Sequence, residues 1–496
     1  MAELLSPPPF STSPPARGDE VQLEIIDAAV EGKSVARLGN FVVFVENGIP
    51  GDLVLAKIYR TKKKFAEARI LRVERPSPFR VQPRCQHAGV CGGCKWQHLA
   101  YDQQLHSKQR QVIDAFERIG GFTNLNVLPI LGAKEQFFYR NKMEYSFTDQ
   151  EWLTEIPESP TTNLEPSNRP SNVFLGLHVP QRYDKVLDIQ ACHLQSEVSN
   201  RILTFTRQFA RASGLAVHST ETDSGYWRFL VIRQSSAFRN PERRDKRTND
   251  LMVNIVTFEE REDVIKQYAD ELTQKVPEVT TIINTINSKK AQIAFGDRER
   301  VVFGSGYIRD RIGRHTFTIS ASSFFQTNTE QAEVLYGVAK EFAEFKPNDV
   351  VYDLYSGTGS IALFVSDAVS KVIGVESAES SVLDARKNAE ANGITNCEFV
   401  LGDLKDRLTK DKNWMESHPV PHVMMIDPPR SGMHPKVVEE ILRIAPERIV
   451  YVSCNPATQA RDVKLLAPKY TVDKLQPVDM FPHTYHIENV ARLTLR

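Results

Sequence analysis

The sequence predicts a multidomain protein: a small N-terminal OB-like β-barrel, an α+β central part, and a C-terminal α/β half built on a doubly wound parallel sheet. Three observations predict it. Short runs rich in β-branched and aromatic residues, separated by Gly, Asn, Pro and Asp, fill residues 19–76. Residues 77–314 mix strand-like and helix-like segments around a knot of cysteines. From about residue 315 the pattern becomes strand–helix–strand–helix, the signature of a parallel sheet.

Residues 1–18 are rich in Pro and Ser and read as a disordered tail. They lack the basic head and apolar core of a secretory signal. No run of 18 apolar residues exists, so no transmembrane helix is expected, and the chain is expected in the cytoplasm. The runs VQLEIID, FVVFVE, DLVLAKIYR and AEARILRVE read as strands, and five short strands in about sixty residues would suit a barrel. Overall charge is neutral, with 62 basic and 62 acidic residues. Locally it is not: between Lys57 and Arg80 nine Lys and Arg face only Glu67 and Glu74. Such a stretch attracts phosphates. Composition alone is equally well explained by a solvated charged face.

Six cysteines in 496 residues do not suggest a disulfide scaffold. Cys85, Cys91 and Cys94 form C-x5-C-x2-C, a spacing that suits zinc or an iron–sulfur cluster. Spacing leaves the fourth ligand open among Cys192, His87 and His98, and zinc is the chemical default. A helix is expected from about Tyr101 to Ile119, ended by Gly120 and Gly121, and available to pack on the C-terminal half. The polar stretches 155–172 and 239–250 read as surface loops. Cys397, inside a strand pattern, reads as core.

In the C-terminal half, VVYDLYSG runs into GTGSIALF. Gly357 and Gly359 give a tight turn before a helix N-terminus, where backbone can approach a ligand. Alone this is a weak signal. Asp353 precedes the glycines, Glu376 ends the next strand, Asp403 follows the third, and the fourth ends in Asp427-Pro428-Pro429-Arg430. An acidic residue at the position of Glu376 can accept ribose hydroxyls. This order resembles the class I methyltransferase fold, whose ligand is S-adenosylmethionine.

Cys454 follows the fifth strand, and Pro456 leaves its thiol in a loop. Glu488 lies further on, at a neighbouring strand end. Methylating carbon 5 of uracil requires a thiolate to add at carbon 6 and a base to remove the hydrogen at carbon 5. One Cys and one Glu suffice. A Cys at a strand end is more often a small apolar filler, and Asp-Pro-Pro also serves methyltransferases acting on amino groups. Those leave Cys454 without a role.

The strings SSFFQTN, DLYSGTGSIAL, IDPPRSGMHPK, YVSCNPATQARD and DMFPHTYHIE, in this order, carry a wider resemblance. The chain from about residue 19 to 496 resembles the RNA 5-methyluridine methyltransferases, in particular the 23S rRNA (uracil-5-)-methyltransferases with an iron–sulfur cluster. The resemblance implies three domains: 19–76 a TRAM barrel, 77–314 a central domain with the cluster, and 315–496 a Rossmann-like methyltransferase domain. It implies Cys454 as nucleophile and Glu488 as general base, with Gln326, Tyr355, Glu376, Asp403 and Asp427 at S-adenosylmethionine. It further implies a [4Fe–4S] cluster on Cys85, Cys91, Cys94 and Cys192, without an electron-transfer role in the methylation. Ser360 and Asp403 depart from the family pattern, standing where relatives carry Asn. RNA is the implied partner, 23S rRNA above tRNA, with neither a membrane nor an obligate protein partner. FYRNKMEYSF adds Arg140 and Lys142 among aromatics, suited to looped RNA or to an ordinary strand with exposed charges. A non-catalytic iron–sulfur RNA-binding protein is the alternative of another class.

Overall fold

A computed structural model describes residues 14–150, 152, 173–180, 182–219, 221–238, 249–410 and 414–496. The expected loop at 155–172, most of that at 239–250 and most of the N-terminal tail lie outside the described residues. The chain divides into two units: Met1–Gly89, Gly93–Gln111 and Phe481–Tyr485 form one, and Val90–Gly92, Val112–Met480 and His486–Arg496 the other.

The first unit contains the expected barrel. Strands β1 (Glu20–Ala28), β2 (Ser34–Leu38), β3 (Phe41–Glu46), β4 (Leu53–Thr61) and β5 (Phe65–Arg75) close in the order β1-β2-β3-β5-β4. Inward residues alternate along the strands, as Leu23 and Ile25, Val43 and Val45, and Val54, Ala56 and Ile58 do. Register breaks between β4 and β5 let the sheet curl shut. Fully buried Asp52 accepts from Ile49 N (2.9 Å) and Ser77 N (2.8 Å) and pairs with Arg80. In the same unit Lys95 N and Trp96 N both donate to the His483 carbonyl, at 3.0 and 2.9 Å.

Helix α1 (Tyr101–Ala115) continues into a wider turn at Phe116–Gly120, and Gly121 ends it at φ 77°. Its last residues, Val112, Ala115 and Phe116, belong to the C-terminal core.

The second unit holds two large sheets. The central one comprises β6 (Lys142–Thr148), β7 (Phe174–Val179), β8 (Arg182–Asp188), β9 (Trp227–Gln234), β10 (Leu251–Thr257), β11 (Thr281–Ile286) and β12 (Arg298–Gly304), in the order β12-β11-β10-β9-β6-β7-β8. Helices α2 (Glu197–Ala212) and α3 (Glu262–Lys275) bury Ile202, Leu203, Phe209, Ile265 and Leu272 in one core with Leu230 and Ile232 of β9. The alternate residues Phe229 and Val231 face the other way, where they meet Val256 and Ala294.

A hairpin of β13 (Tyr307–Ile312) and β14 (His315–Ser320) and helix α4 (Thr329–Ala343) lead to the second sheet. It comprises β15 (Val350–Leu354), β16 (Lys371–Glu376), β17 (Cys397–Leu401), β18 (Val423–Ile426), β19 (Arg448–Ser453), β20 (Tyr470–Val478) and β21 (Glu488–Leu495), ordered β17-β16-β15-β18-β19-β21-β20. Its helices are α5 (Ser360–Val365), α6 (Glu379–Ala391), α7 (Leu404–Lys410), α8 (Trp414–Ser417), α9 (Pro435–Ile444) and α10 (Pro456–Leu466). The five strands read from the sequence are parallel, as expected. The purely parallel expectation fails at one edge: β21 runs antiparallel to both β19 and β20. The short connection 479–487 cannot make a crossover, so β20 and β21 pair as neighbours in opposite directions.

Candidate active site

The turn after β15 is built for close approach. Tyr355 sits at φ 66° and Gly357 and Gly359 at 54° and 76°. A non-Gly residue there costs roughly 1–3 kcal/mol. Two bonds hold the turn, Tyr355 N and Ser356 N each donating to Val375 O at 3.1 Å. A Cβ on Gly359 would stand 2.7 Å from the Phe399 ring, so only glycine fits. At the end of β16 the Glu376 carboxylate accepts from Gly357 N (3.0 Å), Ala378 N (2.8 Å) and Ser377 Oγ (3.1 Å). Asp403 accepts from Lys405 N at 2.8 Å. Tyr355, Glu376 and Asp403 line one cavity of about 540 Å³, with Pro429, Met433 and Arg461 on its other wall.

Gln326 and Asp427 lie outside that lining. The Gln326 carbonyl accepts from Asn141 Nδ2 at 2.9 Å, and its side chain lies within reach of the Tyr336 hydroxyl. Asp427 follows β18 and is half-buried, and desolvation pushes its carboxyl up to about 7. Its neighbour Asp353, 1% exposed, is pushed up to about 8, first by burial and then by the charge of Asp427. Asp353 Oδ2 accepts from Ala362 N at 3.1 Å.

Cys454 and Glu488 meet because β19 and β21 are antiparallel neighbours, with Ser453 opposite Asn489. Burial pushes the half-buried Cys454 thiol up to about 11; the charge of Glu488 adds to this and the Arg430 guanidinium, within hydrogen-bond reach of the sulfur, opposes it. Glu488, 7% exposed, is held well above the usual carboxylate range by burial and then by Asp427, again opposed by Arg430. The Cys454 thiol therefore keeps its proton at neutral pH.

Arg430 had no role in the sequence reading, although it closes the quoted Asp-Pro-Pro-Arg string. Its guanidinium contacts His486 Nδ1 at 2.9 Å. Helix α10 splints its loop. Asn455 Nδ2 and Thr458 Oγ1 donate to the Arg430 carbonyl (3.0 and 3.2 Å), and Arg461 Nη2 donates to Ser431 O (3.0 Å). Fully buried Asp462 accepts from Met433 N (2.7 Å) and the Tyr451 hydroxyl (2.8 Å). Gly432, at φ 77°, has no room for a Cβ beside Asp462 and Arg461. Positions 455, 458 and 462 share one helix face, a signal present in NPATQARD but meaningless until the loop is seen against it.

The geometry of the described residues does not support the expected [4Fe–4S] site. No disulfide involves any of the six cysteines. Cys85 and Cys94 fall in the first unit, and Cys91 and Cys192 in the second. Cys91 and Cys192 pack against the central core, and their sulfurs influence the buried Tyr145 hydroxyl. Among the described residues, no group of three or more His, Cys, Asp or Glu could hold a metal ion. Cys397 is the first residue of β17, half-buried rather than in the core as expected, and desolvation pushes its thiol up to about 12.

The basic stretch of the barrel is partly neutralised. Lys57, Arg60, Arg72, Arg75 and Arg80 pair with Glu20, Glu67, Glu74, Glu24 and Asp52. Lys62, Lys63 and Lys64 at the β4–β5 turn remain exposed.

Residues 245–495 match the family described as tRNA (uracil-5-)-methyltransferase, and residues 16–71 match the TRAM domain. An RNA methyltransferase of Bacteroides thetaiotaomicron is 43% identical over 94% of this chain and 100% of its own length. One from Porphyromonas gingivalis is 42% identical over 95% of this chain and 99% of its own. The solved Pyrococcus abyssi tRNA (uracil-54, C5)-methyltransferase, in complex with S-adenosyl-L-homocysteine, aligns with a TM-score of 0.71. It is 27% identical over 95% of this chain and 100% of that one.

Proposed function

The chain belongs to the RNA (uracil-5-)-methyltransferase family, and from that premise we propose that it methylates carbon 5 of a uridine in 23S rRNA, with Cys454 as nucleophile and Glu488 as general base. The observation that carries the reading is the convergence of Cys454, Glu488, Asp427 and Arg430 at one end of the sheet. A structural cysteine would need none of that company.

S-adenosylmethionine, when bound, supplies an electrophilic methyl group. The 540 Å³ cavity is of a size that suits such a ligand. Glu376 is placed to take ribose hydroxyls and Asp403 the adenine edge, with Tyr355 beside them. Gln326 and Asp427 serve the reacting end, and Asp427 also meets the uracil edge.

Cys454 Sγ gives its proton to solvent water, its thiolate favoured by the Arg430 guanidinium, and bonds to carbon 6 of uracil as the carbon 5–carbon 6 double bond opens toward the carbon 4 oxygen. Carbon 5 becomes electron-rich and accepts the methyl. The Glu488 carboxylate then takes the hydrogen from carbon 5, the Cys454–carbon 6 bond breaks, and the double bond returns. Glu488 must be ionised for this step, so its raised affinity for protons matches the task of pulling one from carbon. The target base has to leave its stack to reach the thiol.

The TRAM match and the exposed Lys62–Lys64 turn support RNA as the partner. Among the described residues no helix is long and apolar enough to cross a membrane, and a cytoplasmic site of action goes with the RNA substrate. The domain limits 19–76, 77–314 and 315–496 follow the sequence pattern, and the [4Fe–4S] cluster follows from the family resemblance. No chemical step runs through the cluster. A tRNA substrate is the second reading, favoured by the description of the matched family and by the archaeal enzyme.

Mapping 5-methyluridine in the rRNA and tRNA of a strain lacking the gene tests the proposal. A single 23S uridine should lose its methyl and regain it with the wild-type chain but not with Cys454→Ala. Loss confined to tRNA selects the second reading, and full restoration by Cys454→Ala ends the mechanism.

A further inference from the structure

We propose that the loop 287–297 is an RNA-docking element in which Phe295 stacks on an unpaired nucleobase beside phosphate-binding lysines. The loop joins β11 to β12 and folds over the central sheet on the side away from α2 and α3, where Ala294 packs with Phe229, Val231 and Val256.

Its backbone is unusually constrained for a surface loop. Arg228, only 2% exposed, reaches under it and donates to the carbonyls of Asn287, Lys289 (2.7 Å) and Ala291 (2.8 Å). Fully buried Asn287 donates to Ile293 O at 2.7 Å. Lys289 pairs with Asp297 at 2.9 Å, and Ser288 Oγ donates to the same carboxylate at 2.9 Å. Gly296 passes so close to the preceding strand that a Cβ would stand 2.2 Å from Ile286 O.

A buried guanidinium carries a desolvation penalty, and here it is spent on fixing a loop that leaves Ile293 42% and Phe295 49% exposed. Folding gains nothing from holding large apolar side chains in water. A partner that covers them does.

The surroundings select the partner. Lys142 Nζ stands 5.8 Å from the Phe295 ring centroid. Around it stand Lys289, Lys290, Arg298, Arg140 and Lys142, of which Lys289, Lys142 and Arg298 pair with Asp297, Glu144 and Glu260, an excess of two positive charges. An exposed ring among excess cations fits a base and its phosphates, the arrangement by which single strands are held without sequence preference. The patch is linked through the sheet to the segment that carries Gln326. Lys142 lies opposite Arg233 in the sheet, and Arg233 holds the carbonyls of Ala321 and Ser323, at the start of the segment that leads to Gln326. The inference rests on RNA being the substrate.

The test is binding of the full chain to a fluorescein-labelled, mixed-sequence RNA 12-mer by anisotropy. Phe295→Ala should weaken binding about 5- to 150-fold, since one base stack carries about 1–3 kcal/mol. Phe295→Trp should bind like wild type, and both should melt like wild type. Lys289→Glu with Lys290→Glu should flatten the salt dependence by about one to two phosphate contacts. Wild-type affinity in both Phe295→Ala and Ile293→Ala overturns the proposal. So does a change in sedimentation of Phe295→Ala with RNA affinity intact, which would assign the patch to self-association. Loss of methylation in Cys454→Ala, read in its own assay, reports on the functional reading separately.

Discussion

Cys454 should behave as a poor acid until substrate arrives, and Arg430 should be the group that limits how poor. Its thiol is pushed up to about 11 from an ordinary 9.0. At pH 8 that leaves about 0.1% thiolate, against about 10% for an ordinary thiol. A more basic thiolate attacks faster, by about tenfold for two units. Alkylation of Cys454 at pH 8 should therefore be about tenfold slower than that of an ordinary accessible cysteine, and its rate should keep rising past pH 10. Arg430→Met removes a hydrogen bond to a charged acceptor, which corresponds to about a further tenfold less thiolate at this half-exposed site. The assay is iodoacetamide labelling across pH 6.5–11, read peptide by peptide with the other cysteines as internal references. A midpoint at or below about pH 8.5, or an unchanged profile in Arg430→Met, would refute the reasoning.

Glu488→Gln should permit addition and methyl transfer but block elimination, giving a protein–RNA adduct that survives denaturing electrophoresis; a variant that turns over normally excludes Glu488 as the base. Asp353, raised to about 8, binds a proton more tightly folded than unfolded, so its contribution to stability is complete below about pH 4 and lost as pH rises through 8. Asp353→Asn should remove on the order of 3–5 kcal/mol of that decline, seen as a flatter melting temperature between pH 5 and 8.5; a decline as steep as wild type would count against it. Glu376→Ala should weaken S-adenosylmethionine binding about 10- to 100-fold by calorimetry, and an unchanged Kd would remove Glu376 from the cofactor site. Anaerobically purified protein should carry about four iron and four sulfide per chain if the cysteine pattern holds a cluster; one zinc per chain would replace that assignment.

Much of this protein could be read before its structure. The inward alternation of Val43 and Val45 or Val54, Ala56 and Ile58 is a property of spacing, so the barrel was legible. So were the five parallel strands, because runs such as VMMI and RIVYV are apolar on both faces. The antiparallel edge was not, because β21 is placed by the short connection before it rather than by its own composition. The phosphate-binding stretch of the barrel looked stronger in sequence than in space. Its carboxylate partners Glu20, Glu24 and Asp52 come from other parts of the chain.

The sequence by itself determined which residue types the chemistry could use: one cysteine in a strand-end loop, one glutamate after it, and acidic residues at successive strand ends. Those choices are local, set by strand periodicity and by Pro and Gly at fixed positions. That Cys454 and Glu488 stand at neighbouring strand ends was already expected; only the tertiary structure decided that their strands run antiparallel, that buried Asp353 lies beside Asp427, and that Arg430 opposes the proton affinity of both groups. Proximity and desolvation depend on which strands pair and what covers them, and both arise from contacts between residues far apart in the chain.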